Sequence, residues 1–130
     1  MVYTSNMINP SPTIVGKAGA AITDPRGKAL KFNSSGKLVV CSTANEEFIG
    51  IGLVTNDEAI AAGQDVDVQI KDIGVGLAGG AISAGDTLGT DANGKLVKTT
   101  TSGAFVIGYA LRDATSGSLV TLQIAKHHLA

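Results

Sequence analysis

The stretch Ala78–Leu88, AGGAISAGDTL, decides how the chain is read. Small residues make a corner, Ile82 follows as a single apolar anchor, and Ala84-Gly85-Asp86 is a tight turn that launches a strand at Thr87–Leu88. Sixty residues earlier the first half of this stretch has a close relative, AGAAIT at Ala18–Thr23. The echo continues in the same order: NSSGKLVV (33–40) matches DANGKLVK (91–98), FIGIGL (48–53) matches VIGYAL (106–111), and VQI (68–70) matches LQI (122–124). The offset drifts from 60 to 58 to 54 because NDEAIAAG (56–63) is longer than its counterpart, RDATSG (112–117). Two copies are too few for a solenoid, which needs at least three. They describe two similar β units in one pseudo-symmetric body, pseudo-repeat one over about 16–72 and pseudo-repeat two over about 76–126.

Within each unit the pattern is that of short strands and tight turns. Val66, Val68 and Ile70 alternate with Asp67, Gln69 and Lys71, the period of a half-buried strand, and Leu119–Ile124 alternates likewise. Asn33–Gly36 and Asp91–Gly94 are four-residue hairpin loops with glycine at the position that needs positive φ. Gly50 and Gly52 lie two apart in FIGIGLVT, so both bare one face of a strand to close approach by a neighbour. The only helical turn the sequence suggests is at 57–62, where Asn56 or Asp57 would cap and Gly63 would end it. The expected fold is therefore all-β: a compact barrel- or sandwich-like domain of about eight to ten short strands, with at most that one short helix. A single β domain over 14–130 would follow an extended arm over 1–13, where Asn9, Pro10, Ser11 and Pro12 oppose regular structure.

Composition narrows the function. Apolar residues make up 44% of the 130, enough for a core, but aromatics are 4% with no Trp, so the core is aliphatic. Ten basic and eleven acidic residues leave a net charge of -1, with no basic face for nucleic acid and no attraction to an anionic membrane. No window approaches the ~20 apolar residues of a membrane-spanning helix, and the first residues carry no signal-peptide pattern. A soluble protein made in a cytoplasm is expected. Cys41 is the only cysteine, so an internal disulfide is excluded.

Catalytic and metal chemistry find little support. Cys41 ends the strand KLVVC, where an inert buried thiol is favoured, and His127–His128 sit close to the end of the chain, where backbones usually fray. Adjacent histidines on a strand point to opposite faces and are poor joint ligands. Asp24, Asp57, Asp86, Asp91 and Asp113 fall at turns or strand ends, where aspartate bonds backbone amides. GVGLAGGAISAG (74–85) lacks the spacing of a phosphate loop, so its glycines are turn formers. No catalytic residue, cofactor or metal is expected.

The succession AGAAIT, GKLVV, FIGIGL, VDVQI, AISAGDTL, DANGKLV, VIGYAL and VTLQI resembles the small capsid decoration, or cement, proteins of tailed bacteriophages and prophages, over about residues 16–125. AISAGDTL–DANGK–IGYAL is its most specific part. The resemblance implies a β-barrel-like, non-enzymatic body on the outer surface of an assembled virion capsid. It also implies the major capsid protein as partner and a homo-oligomer, a trimer rather than a dimer. In such proteins the N-terminal arm commonly lies along neighbouring subunits. Here that role falls on Val2, Tyr3, Met7, Ile8, Pro10, Pro12 and Ile14. The alternative is a non-catalytic binding module displayed on a particle, for carbohydrate or a host surface. It needs exposed aromatic rings, and only Tyr3, Phe32, Phe48, Phe105 and Tyr109 are available.

Overall fold

A computed structural model describes residues 11–130. Alternation and turn chemistry place the strands. In the first half they are β1 (Thr13–Lys17), β2 (Ile22–Thr23), β3 (Ala29–Phe32), β4 (Leu38–Val40), β5 (Gly50–Gly52), β6 (Ala59–Ile60) and β7 (Asp65–Gln69). In the second half they are β8 (Ile73–Leu77), β9 (Thr87–Thr90), β10 (Leu96–Lys98), β11 (Phe105–Ala110) and β12 (Leu119–His128). There is no helix among the described residues.

The repeat in the sequence is a repeat in topology. The first sheet has the order β1-β7-β5-β3-β4, and the second, taken from its opposite edge, β8-β12-β11-β9-β10. Each strand of the first sheet takes the place of its sequence counterpart in the second. The local bonds repeat too. Asn33 Oδ1 accepts from the amides of Ser35 and Lys37, and Asp91 Oδ1 from those of Asn93 and Lys95. Gly36 and Gly94 follow with φ of 73° and 78°, the left-handed conformation these hairpins demand.

The small-residue corners explain the curl of each sheet. After β1 the chain bends so that Ala18 bridges Leu38 on the opposite edge of the same sheet, and after β8 Ala78 bridges Leu96 in the same way. The amide of Gly19 donates to Leu38 O, and that of Gly79 to Leu96 O, both at 2.8 Å. Leu38 and Leu96 then lie across the strands that precede the corners, where a Cβ on Gly16 or Gly76 would collide with their Cδ1 atoms. One bridge per sheet curls it over an apolar interior without closing a barrel, so the architecture is sandwich-like.

The two interiors are not equivalent. Leu30, Leu38, Val66, Val68, Ile22 and Ile60 form a core within the first half. The larger core holds their counterparts Leu88, Leu96, Val120, Leu122 and Ile82, but also Ala29, Cys41, Phe48 and Ile51 from the first half. Those added residues include Ala29 and Ile51, which pair across β3 and β5 on the face of the first sheet opposite its own core. The first half thus lends its outer face to close the core of the second. Phe48 meets Phe105 edge to face at 5.2 Å. Polar bonds reinforce the seam: Ala29 N to Gly94 O at 2.7 Å, Leu77 N to Gly27 O at 2.8 Å, and Lys126 Nζ to Ile49 O at 2.5 Å.

Two expectations are corrected. The turn at 57–62 is not helical. Ile60 pairs with Ile22 in a two-stranded ribbon that lids the first core, and burial of those two isoleucines outweighs a helix too short to stand alone. Of the barrel-like and sandwich-like readings, the sandwich-like one holds, since neither five-stranded sheet closes. His127 and His128 do not fray: β12 runs through both, opposite Val106 and Phe105, past a bulge between Val106 and Gly108.

Candidate interaction surfaces

Among the residues expected to touch a partner, Val2, Tyr3, Met7, Ile8 and Pro10 lie outside the described residues. Pro12 and Ile14 belong to the folded body. Pro12 O accepts from the amide of Ile70 at 2.8 Å, and Ile14 pairs with Val68 and packs on the first core. The edge strand begins at Thr13, one residue before the boundary read from the sequence.

The nucleophile and base candidates are occupied by packing. Cys41 is buried at the seam; burial, aided by the charge of Glu46, pushes its thiol up to about 12, away from thiolate chemistry. His127 stacks on Tyr109 at 5.6 Å, with Nδ1 2.8 Å from Ala125 O, while His128 lies edge-on to Phe105 at 5.4 Å. The neighbouring histidines therefore serve different aromatics. No group of three or more His, Cys, Asp or Glu is placed to hold a metal among the described residues.

Three of the five turn aspartates, Asp86, Asp91 and Asp113, bond backbone amides as their positions suggest. Asp86 accepts from Ser83 N and Asp113 from Ala84 N, both at 2.8 Å. Asp24 instead grips the Arg26 guanidinium through both carboxylate oxygens, and that hydrogen bond holds its pKa below the usual carboxylate range. In 74–85 the amides of Gly79 and Gly85 are spent on Leu96 O and Ala110 O. They are not free to cradle an anion.

What remains is surface, and here the two sheets diverge. On the outer face of the first, Thr13 lies opposite Gln69, Val15 opposite Asp67, and Lys17 opposite Asp65. Lys17 and Asp65 pair at 2.6 Å. With Thr55, Asn56, Asp57 and Gln64 these residues line a polar depression of about 440 Å³. The matching rows of the second sheet read Ile73 opposite Gln123, Val75 opposite Thr121, and Leu77 opposite Leu119. Tyr109 extends the first row beside Gln123, and Leu111, whose amide donates to Thr121 O, extends the second. Ile73 is 58% exposed, Leu119 55%, Leu111 45% and Tyr109 40%. Same-face neighbours on adjacent strands stand about 5 Å apart, so these side chains form one apolar field, not scattered residues. Sequence reasoning missed it. The signal was the substitution of Leu119 for Asp65 and of Leu77 for Lys17 at equivalent repeat positions.

The sequence profile of the phage cement protein family matches residues 34–124, across both halves. Among solved structures, the N base of the head fiber protein gp8.5 of bacteriophage phi29 is similar, with 23% identity and a TM-score of 0.64 over 91% of this chain and 97% of that one. At this identity the likeness is one of fold. No curated protein matches the chain.

Proposed function

The chain belongs to the phage cement protein family, and from that premise we propose that it decorates the outer surface of an assembled phage head and stabilises it by bridging major capsid protein subunits. The observation that carries this is the family match across both halves of the body. The activity is structural. A disulfide-free β body with an apolar outer field supports this reading. Each copy would bridge subunits that must shed it before they can separate, and many modest contacts act together through the lattice. The protein would act as a homo-oligomer, a trimer rather than a dimer. The arm would gain order on docking, through Val2, Tyr3, Met7, Ile8 and Pro10.

The test is binding to heads of the cognate phage that lack the protein. Purified protein should co-sediment with expanded heads at micromolar concentration and raise the temperature at which they release DNA. No binding there would end the proposal. Removing residues 1–10 spares Pro12 and β1, so it should weaken head binding without changing the unfolding midpoint. Unchanged affinity would take the role away from the arm.

A further inference from the structure

The two five-stranded sheets have four edge strands, and other parts of the chain meet three of them. The corners meet β4 and β10, where Gly19 N donates to Leu38 O and Gly79 N to Leu96 O. The edge of β8 is held by the first half: Leu77 N donates to Gly27 O at 2.8 Å, and Gln69 Nε2 to Ile73 O at 2.7 Å. Gly27 passes so close to that edge that a Cβ on it would stand 2.7 Å from Leu77 N. The loop that brings it there, Asp24–Lys28, is longer than its counterpart Ala84–Asp86, so the second half has no equivalent of Gly27.

The remaining edge is β1, the repeat counterpart of β8, with Thr13, Gly16 and Lys17 where the second half has Ile73, Gly76 and Leu77. Pro12 O accepts from Ile70 N and Ala18 N donates to Gln64 O, so Ile14 and Gly16 between them bond β7. Antiparallel alternation then turns Val15 and Lys17 outward. Their amides and the Val15 carbonyl have no partner among the described residues. The strand carries no proline or bulge to blunt it, and Val15 is 62% exposed. Phe32, 45% exposed, has its ring 3.9 Å from where a Cβ on Gly16 would stand, so an uncovered apolar surface lies beside the open edge.

We propose that the edge of β1 is a strand-addition site whose occupant is the N-terminal arm, residues 1–10, of a second copy. Main-chain bonds to Val15 and Lys17 hold the arm, and its apolar side chains cover Phe32. The arm suits the edge. Its stretch Val2–Ile8, VYTSNMI, has strand-forming residues and no glycine, proline or charge, and spans about 23 Å when extended, more than the five residues of β1. The sequence also keeps the arm off its own β1. Asn9 and Ser11 each precede a proline, which holds them out of the helical region a type I turn needs, and Pro10 cannot take the positive φ of a type II turn. A tight turn back is therefore disfavoured, and the arm leads to a neighbour. Molecules that each give and receive an arm close into a symmetric oligomer. The proposal rests on the homo-oligomer and the arm of the function above, not on capsid attachment.

Amide hydrogen exchange of the full-length protein, read residue by residue by NMR beside sedimentation velocity, tests it. Where the protein is oligomeric, the amides of Val15 and Lys17 should exchange about tenfold or more slowly than after dilution to monomer. The double change Ser5→Pro, Asn6→Pro removes an arm donor whichever of the two faces β1, and lies outside the folded body. Val15→Pro removes the outward donor of β1 and spares the bonds to β7. Each variant should return Lys17 to fast exchange and weaken association. If Val15→Pro prevents folding, the arm variant decides alone. Fast exchange of Val15 and Lys17 in the unaltered oligomer would overturn the proposal. So would protection that survives the arm variant, or protection that persists in the monomer, the result of an arm folded onto its own β1. A protein that stays monomeric with both amides fast would overturn it as well. Head binding by the unaltered protein is scored separately, so failure of the capsid function and failure of this contact read out differently.

Discussion

The two halves share strand order, hairpin chemistry and corner glycines, yet differ in what their outer faces meet. The first half buries part of its outer face against the second and dresses the rest in Lys17, Asp65 and Asp67. The second half leaves the same face exposed among the described residues, and dresses it in Ile73, Val75, Leu111 and Leu119. A duplicated fold thus separates two demands that one sheet could not meet together. Core positions are held alike for folding, while outer positions diverge according to whether water or protein covers them.

The sharpest way to break this comparison is to place one charge at both equivalent positions. Ile51→Lys buries an ammonium without a partner at the seam, where Ile51 is 1% exposed, and should cost roughly 4 kcal/mol or more. Tyr109→Lys places the same charge in water and should stay within about 0.5 kcal/mol when the monomer is followed. Guanidinium unfolding curves decide it. Similar losses at the two positions would mean that the halves are not covered differently.

The next largest effect separates the two cores. Phe48→Ala removes a ring from the shared core and its edge contact with Phe105, and should cost about 3–5 kcal/mol. Phe48 has no place in the core of Leu30, Leu38 and Val66. Amide hydrogen exchange should therefore accelerate first at Leu88, Leu122 and their neighbours while β3 and β7 keep more of their protection. Uniform acceleration would show that the halves open only as one.

How much of this was legible beforehand follows from what encodes it. The strands were visible because alternation in Val66–Ile70 and turn chemistry in Asn33–Gly36 act over a few residues. The duplication was visible because both corners must be small: a Cβ on Gly19 would meet Asn33 and Val39, and one on Gly79 would meet Asp91 and Val97. Strand β6 was hidden because Ile60 is a single anchor whose partner, Ile22, is 38 residues away. The seam was hidden because Ala29, Cys41 and Ile51 look like ordinary strand residues until a second sheet is set against them. The apolar field needed the register of β12 with β8 and β11 to bring Leu119, Val75 and Tyr109 onto one surface.

A smaller effect probes the loop between β4 and β5, which ties the seam from the side. Asn45 has φ of 67°; its amide donates to Thr90 O, its carbonyl accepts from Phe105 N, and its Oδ1 accepts from the Thr99 hydroxyl at 3.1 Å. Asn45→Ala strands the buried Thr99 hydroxyl and puts a Cβ residue with no polar side chain in the left-handed region, for about 2 kcal/mol. Asn45→Gly loses the same hydrogen bond but relaxes the backbone, so it should recover about 1 kcal/mol of that loss. Equal midpoints for the two variants would show that the backbone at this position carries no strain.

The smallest effect is also the one with a pH signature. Glu46 accepts from the amides of Ser42 and Thr43 at 2.8 Å and from Lys31 Nζ at 2.5 Å, which holds the same loop in place. Burial opposes its ionisation, but the Lys31 hydrogen bond and the two amides outweigh that and keep its pKa below the ordinary glutamate value. A carboxyl with a depressed folded pKa stabilises fully above its unfolded pKa of about 4.3 and loses that contribution as pH falls through the folded value. Glu46→Gln should therefore cost about 1 kcal/mol at neutral pH. The gap should narrow as both proteins are taken into acid, because the native side chain becomes neutral too. The counterpart loop of the second half, Thr100–Gly103, carries no acid at all. A constant gap from neutral pH to about pH 3 would mean that the ion pair is ornamental and that packing alone holds the seam.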